Sequence, residues 1–73
     1  MNYTIFEQQF VTTDSNGIVI VRCNIFAKTA ADIPAYNAFV ATEKKQIAPG
    51  SVAILPSTGA VYMLDFDNAW KEW

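Results

Sequence analysis

Apolar and polar residues alternate most cleanly between Val19 and Ala27. Val19, Val21, Cys23, Ile25 and Ala27 form one wholly apolar side, while the other mixes Ile18, Ile20 and Phe26 with Arg22 and Asn24. A period of two is that of a strand with one face buried. The first side is therefore expected to face the core, and the second to be partly covered or to serve as an interaction surface. Upstream, Tyr3–Thr12 leads into Asp14-Ser15-Asn16-Gly17. Asn-Gly favours positive φ, and Asp or Ser can bond back to nearby amides, so the pattern predicts a hairpin of Tyr3–Thr12 with Ile18–Lys28. A four-residue loop would set Thr13 opposite Ile18. One face would then pair Thr12 with Val19, Phe10 with Val21 and Phe6 with Ile25; the other would pair Val11 with Ile20, Gln9 with Arg22 and Glu7 with Asn24. A two-residue Asn16-Gly17 turn would keep the same faces.

Beyond Gly50, two apolar runs, Ser51–Leu55 and Ala60–Leu64, flank Pro56-Ser57-Thr58-Gly59. A second turn signal, Asp65-Phe66-Asp67-Asn68, precedes Trp70 and Trp73, and the whole predicts a meander of two strands and a short third. In between, Asp32-Ile33-Pro34 breaks the preceding strand. Tyr36, Phe39 and Val40 then fall on one helical face, with Ala35, Ala38 and Ala41 adding propensity and Lys44-Lys45 suiting a last turn. A helix over Pro34–Lys45 is expected; the alternative is a loop pinning Tyr36 and Phe39 onto the sheet. The predicted fold is mainly β with one short helix (α+β). It is a single small domain over residues 1–73, built on a small antiparallel sheet or partly open barrel of about five strands. A sheet that does not close leaves two edges, which are either protected or used for strand addition.

The chain has 73 residues, 52% of them hydrophobic, with no histidine and one cysteine. A domain of this size buries only about 60% of the surface its unfolded chain exposes. No disulfide is possible within the chain, and a lone Cys23 cannot build a structural zinc site. Packing against other copies or another protein is then the expected source of further stability. The net charge of −2 and a pI near 4.7 argue against a nucleic-acid surface, since Lys44-Lys45 is too small a basic cluster to neutralise a phosphate backbone. No apolar run approaches the ~20 residues of a membrane span, and the first residues lack the pattern of a signal peptide. A cytoplasmic site of synthesis is expected.

Few residues suggest reaction chemistry. Cys23 lies on the apolar side of its strand with no histidine to activate it, so a buried thiol is expected rather than a nucleophile. Asp65 and Asp67 are read as turn formers, because so short an acidic stretch offers too few oxygens for calcium. No glycine-rich phosphate loop and no nucleophile–base pair is present, and no cofactor or metal is expected. The aromatics are more informative. Tyr62, Phe66, Trp70 and Trp73 crowd the last dozen residues, and such side chains either close a small core or make interaction hot spots. With Ile20 and Arg22 from the mixed side of the second strand, they form the candidate interaction set.

Several motifs together resemble the small structural proteins encoded among the head, neck and tail genes of tailed bacteriophages and prophages. They are Ala31-Asp32-Ile33-Pro34, Pro49-Gly50-Ser51-Val52-Ala53, Ser57-Thr58-Gly59, Val61-Tyr62-Met63-Leu64-Asp65 and Trp70, covering roughly the second half of the chain. The resemblance implies a non-enzymatic virion structural or assembly protein that self-associates or docks on a larger phage protein. The competing expectation is a small carbohydrate- or peptide-binding module using Tyr62, Trp70 and Trp73 as a platform.

Overall fold

A computed structural model describes residues 2–73 of the protein. Strands β1 (Tyr3–Thr13) and β2 (Val19–Ala27) form the first hairpin. A 3-10 turn at Ala30–Asp32 and one helical turn, α1 (Val40–Glu43), follow. The chain then runs through β3 (Lys45–Ile47), β4 (Val52–Leu55), β5 (Ala60–Leu64) and β6 (Trp70–Glu72). The protein is mainly β with one short helix, and its six strands form a single open sheet ordered β1-β2-β4-β5-β6, with β3 paired to β2.

The expected antiparallel sheet is mixed. Pairs β1–β2, β4–β5 and β5–β6 are antiparallel, whereas β3 and β4 both run parallel to β2. The reason is the connection over residues 28–44. A stretch that long carries the chain back across one face, as a parallel pairing requires.

The same connection explains why the helix expected over Pro34–Lys45 shrinks to Val40–Glu43. A continuous helix would use the Pro34 and Tyr36 carbonyls internally. Here the Trp70 indole N–H donates to the Pro34 carbonyl at 2.9 Å, and the Ile47 amide donates to that of Tyr36 at 2.9 Å. Those acceptors belong to the sheet, and only short i→i+3 turns remain at Ala35–Ala38 and Asn37–Val40. The segment behaves as the alternative foresaw, with Ile33, Tyr36 and Phe39 packed on the core. Lys45, the expected last residue of the helix, instead opens strand β3 (Lys45–Ile47).

In the first hairpin the central pairs are as expected: Glu7 with Asn24, Gln9 with Arg22 and Phe10 with Val21. The ends differ, because irregularities between Ile5 and Glu7 and between Phe10 and Thr12 each insert an extra residue in β1. Ile5 therefore replaces Phe6 opposite Ile25, Thr12 replaces Val11 opposite Ile20, and Thr13 meets Val19 rather than Ile18. Phe6 is displaced to the other face, where its ring stacks on Phe26 with centroids 4.3 Å apart. At the turn, Gly17 takes φ +80 and one Asp14 carboxylate oxygen accepts from the amides of Asn16 and Ile18.

The core lies on one face of the sheet, centred on Val21, Cys23, Ile25, Ile47, Ala53 and Leu64, with Tyr62 and Trp70 packed against it. Along β2, the parallel partner is interrupted. Val21 pairs with Ile47 and Asn24 with Val52, so two extra residues intervene on the β3–β4 side. Ser51, fully buried, fills the gap: its hydroxyl accepts from the Cys23 amide at 2.9 Å and donates to the Ala48 carbonyl at 2.7 Å. Ser51→Ala orphans that buried amide and should cost about 1–3 kcal/mol, read from urea unfolding. A midpoint equal to the wild type's would show that the hydroxyl does not hold the gap.

Candidate functional site

Cross-strand register divides the residues between two faces. The face opposite the core takes Phe26, Ile54 and Val61 in one row, and Glu7, Asn24, Val52, Met63 and Lys71 in the next. The Trp73 amide donates to the Val61 carbonyl, which extends the first row at the β6 end, while Phe6 on Phe26 closes it at the β1 end. An apolar band thus crosses the whole sheet. No segment of the described chain lies over it: the connection over residues 28–44 covers the core face only. Phe6 is 48% exposed, Phe26 42% and Trp73 82%; Val52, Ile54, Val61 and Met63 stay half-buried through their neighbours. Contiguous exposed apolar surface, with large aromatics at both ends, is characteristic of interaction sites.

Further along, the band gives way to charge. Arg22 pairs with Gln9 on the same face, and Glu7 accepts a hydrogen bond from the Asn24 amide group. At the opposite corner the Lys71 ammonium lies 3.1 Å from Asp65 and 3.0 Å from Asp67. The Phe66 amide and then Lys71 hold the Asp65 carboxyl below its ordinary pKa, and Lys71 and then the Ala69 amide do so for Asp67. Asp67 and then Asp65 raise that of Lys71. All three are solvent-exposed, so the cluster shapes the turn and contributes little to stability. The turn repeats the first hairpin's pattern. The Asn68 amide donates to the Asp65 carbonyl and the Asp65 amide to Ala69, with Asn68 at φ +64 in place of a glycine. Beside it, Met63, Asp65, Phe66, Lys71 and Trp73 line an open hollow of about 510 Å³.

The six expected interaction residues therefore separate. Ile20 and Arg22 lie on the uncovered face, and Phe66 (90% exposed) and Trp73 stand at its β6 end. Tyr62, paired with Ala53, and Trp70, paired with Leu64, point to the core side. Tyr62, Trp70 and Trp73 consequently do not form one stacking platform. Sequence reasoning passed over Val52, Ile54, Val61 and Met63, which make the middle of the band. The available signal was that both runs are apolar at nearly every position and so must present apolar residues on two faces.

Cys23 is buried in the core, and desolvation pushes its pKa up against weaker opposite pulls from Lys45 and Arg22. It is a packed thiol. Among the described residues no group of three or more metal-binding side chains occurs, and no helix is long and apolar enough to cross a membrane. No protein-family model, curated protein or solved structure matches the chain.

Two measurements check these placements. Trp70→Ala should cost roughly 2–4 kcal/mol, somewhat below the fully buried range, whereas Trp73→Ala should stay within about 0.5 kcal/mol of wild type; equal urea midpoints for the two would refute the division of faces. Native Cys23 should resist a thiol reagent until the protein unfolds. Because its folded pKa is raised, the stability it contributes is present below the unfolded thiol's pKa and lost as pH climbs through the folded value. Rapid labelling at neutral pH under native conditions would contradict the burial.

Proposed function

We propose that the protein is a non-enzymatic structural or assembly component of a tailed-phage or prophage particle, acting by self-association or by docking on a larger particle protein. The observation that carries the mode of action is the uncovered apolar face. A folded domain leaves such a band in water only at a cost, and association removes it. The phage assignment rests on the motif resemblance of the second half of the chain. Two of those motifs have structural work to do here: Pro49-Gly50-Ser51 forms the interruption between β3 and β4, and Val61–Leu64 lies within β5. The glycan-platform alternative loses support from the inward placement of Tyr62 and Trp70.

The test is made in the organism that encodes the chain. Particles purified after induction should contain the protein at a fixed ratio to a major particle protein, measured by quantitative mass spectrometry. Deleting its gene should lower the yield of complete particles by at least about tenfold. Absence from particles together with unchanged yield on deletion would overturn the proposal.

A further inference from the structure

We infer that the uncovered face is the interface of a symmetric homodimer, in which two sheets stack face to face about a twofold axis running along β4. This rests on the association reading above and names its partner as a second copy. Three observations carry it.

The first is continuity: the apolar band, from the Phe6–Phe26 stack through Ile54 and Val61 to Trp73, crosses every strand of the sheet path, and no segment of the described chain lies over it. The second is the symmetry of the apolar band. Strand order is β1-β2-β4-β5-β6, so β4 is the central strand, and Ile54 lies at its middle in the apolar row. An axis along β4 exchanges β2 with β5 and β1 with β6 between copies. The Phe6–Phe26 stack of one copy then falls on Val61 and Trp73 of the other, and Ile54 meets its own counterpart. Sheets packed in this aligned way keep their strands within about 30° of each other and share one core.

The third is charge. In the second row, the same exchange sets Glu7 of β1 over Lys71 of β6 in the other copy. One step further along the strands, it sets Arg22 of β2 over Asp65, which continues β5 past Leu64. Each pair occurs twice by symmetry, so opposite charges face each other four times around an apolar centre, with Lys71 shared between Glu7 and its own Asp65 and Asp67. Such rim pairs select orientation more than they add affinity. An axis across the strands would lay β1 on β1 and β6 on β6, so that neither Glu7 nor Lys71 would meet an opposite charge from the other copy. The sequence of contacts therefore favours the axis along β4.

Light scattering of the purified chain across a concentration series should give twice the 8.1 kDa chain mass, falling to the monomer on dilution. Ile54→Arg, on the axis, should raise the dissociation constant at least about tenfold while the urea midpoint of the dilute monomer stays close to wild type. Glu7→Lys and Lys71→Glu should each weaken the dimer, because each sets like charges together in both symmetric pairs. Mixing the two variants restores opposite charges in both and should produce a heterodimer, an outcome that misfolding cannot mimic. A wild-type monomer at high concentration, an unchanged mass for Ile54→Arg, or failure of the two charge variants to associate when mixed would each overturn the proposed dimer. A monomer found in particles would refute this dimer while keeping the assembly role, and a dimer absent from particles, with unchanged yield on gene deletion, would do the reverse.

Discussion

Cys23 donates its amide hydrogen at the one point along β2 where neither parallel partner has a backbone carbonyl to offer, and the Ser51 hydroxyl takes it. The rest of the sheet depends on that bond. At Pro49 the chain loses an amide, and at Gly50 it turns through φ +91. Ser51 then ties the departing end of β3 to the arriving end of β4 through the Ala48 carbonyl. Two residues are inserted relative to β2, and the number matters. An even insertion keeps Ile47, Ala53 and Leu55 on the same face, so one core continues across the break. A single inserted residue would turn β4 over and send Ala53 and Leu55 into water. The buried hydroxyl is thus a register device, and the pairing of β4, β5 and β6 follows from where it sets β4.

Local chemistry that acts within a few residues was legible in the sequence. Both Asp-led turns form, and the Asp14 carboxylate bonds back to its own turn as the residue types suggest. The meander Ser51–Leu64 and the core side of Val19–Ala27 stand where periodicity put them. The illegible parts are those where a distant segment takes over a local group. Residues 34–45 carry helical spacing, yet Trp70 and Ile47 claim two of the carbonyls a helix would need. In β1, pairing polar with polar and apolar with apolar looks equally good without bulges. Only the stack of Phe6 on Phe26, across a face whose extent depends on β4, reveals why the first extra residue fits.

The same reasoning accounts for the site. Ile20 and Arg22 were visible because β2 alternates and its second side is mixed. Trp73 and Phe66 were visible as aromatics beside a turn. Tyr62 and Trp70 were grouped with them by proximity in the chain, but strand alternation separates Tyr62 from Met63, and a hydrogen bond to Pro34 fixes Trp70 under the crossover. The central residues were hidden because VAIL and AVYML show no polar side at all. A run apolar on both sides reads as a fully buried strand; only the whole fold shows that the covering segment reaches one side.

Face and edge offer different routes to association, and the structure distinguishes them. The outer edge of β1 carries unpaired backbone groups along a long exposed strand, which ordinarily invites another strand to add. Its two bulges interrupt any regular ladder, since a partner strand would have to carry compensating irregularities at both places. At the other edge β6 is short, spanning only Trp70–Glu72. Both edges therefore carry features that discourage strand addition. The face carries the opposite: Val52, Ile54, Val61 and Met63 are half-buried by their neighbours, and the apolar surface they still present is not covered by folding. Burying that remainder is free energy still available to association, and it is directed along the sheet normal rather than along the strand edge.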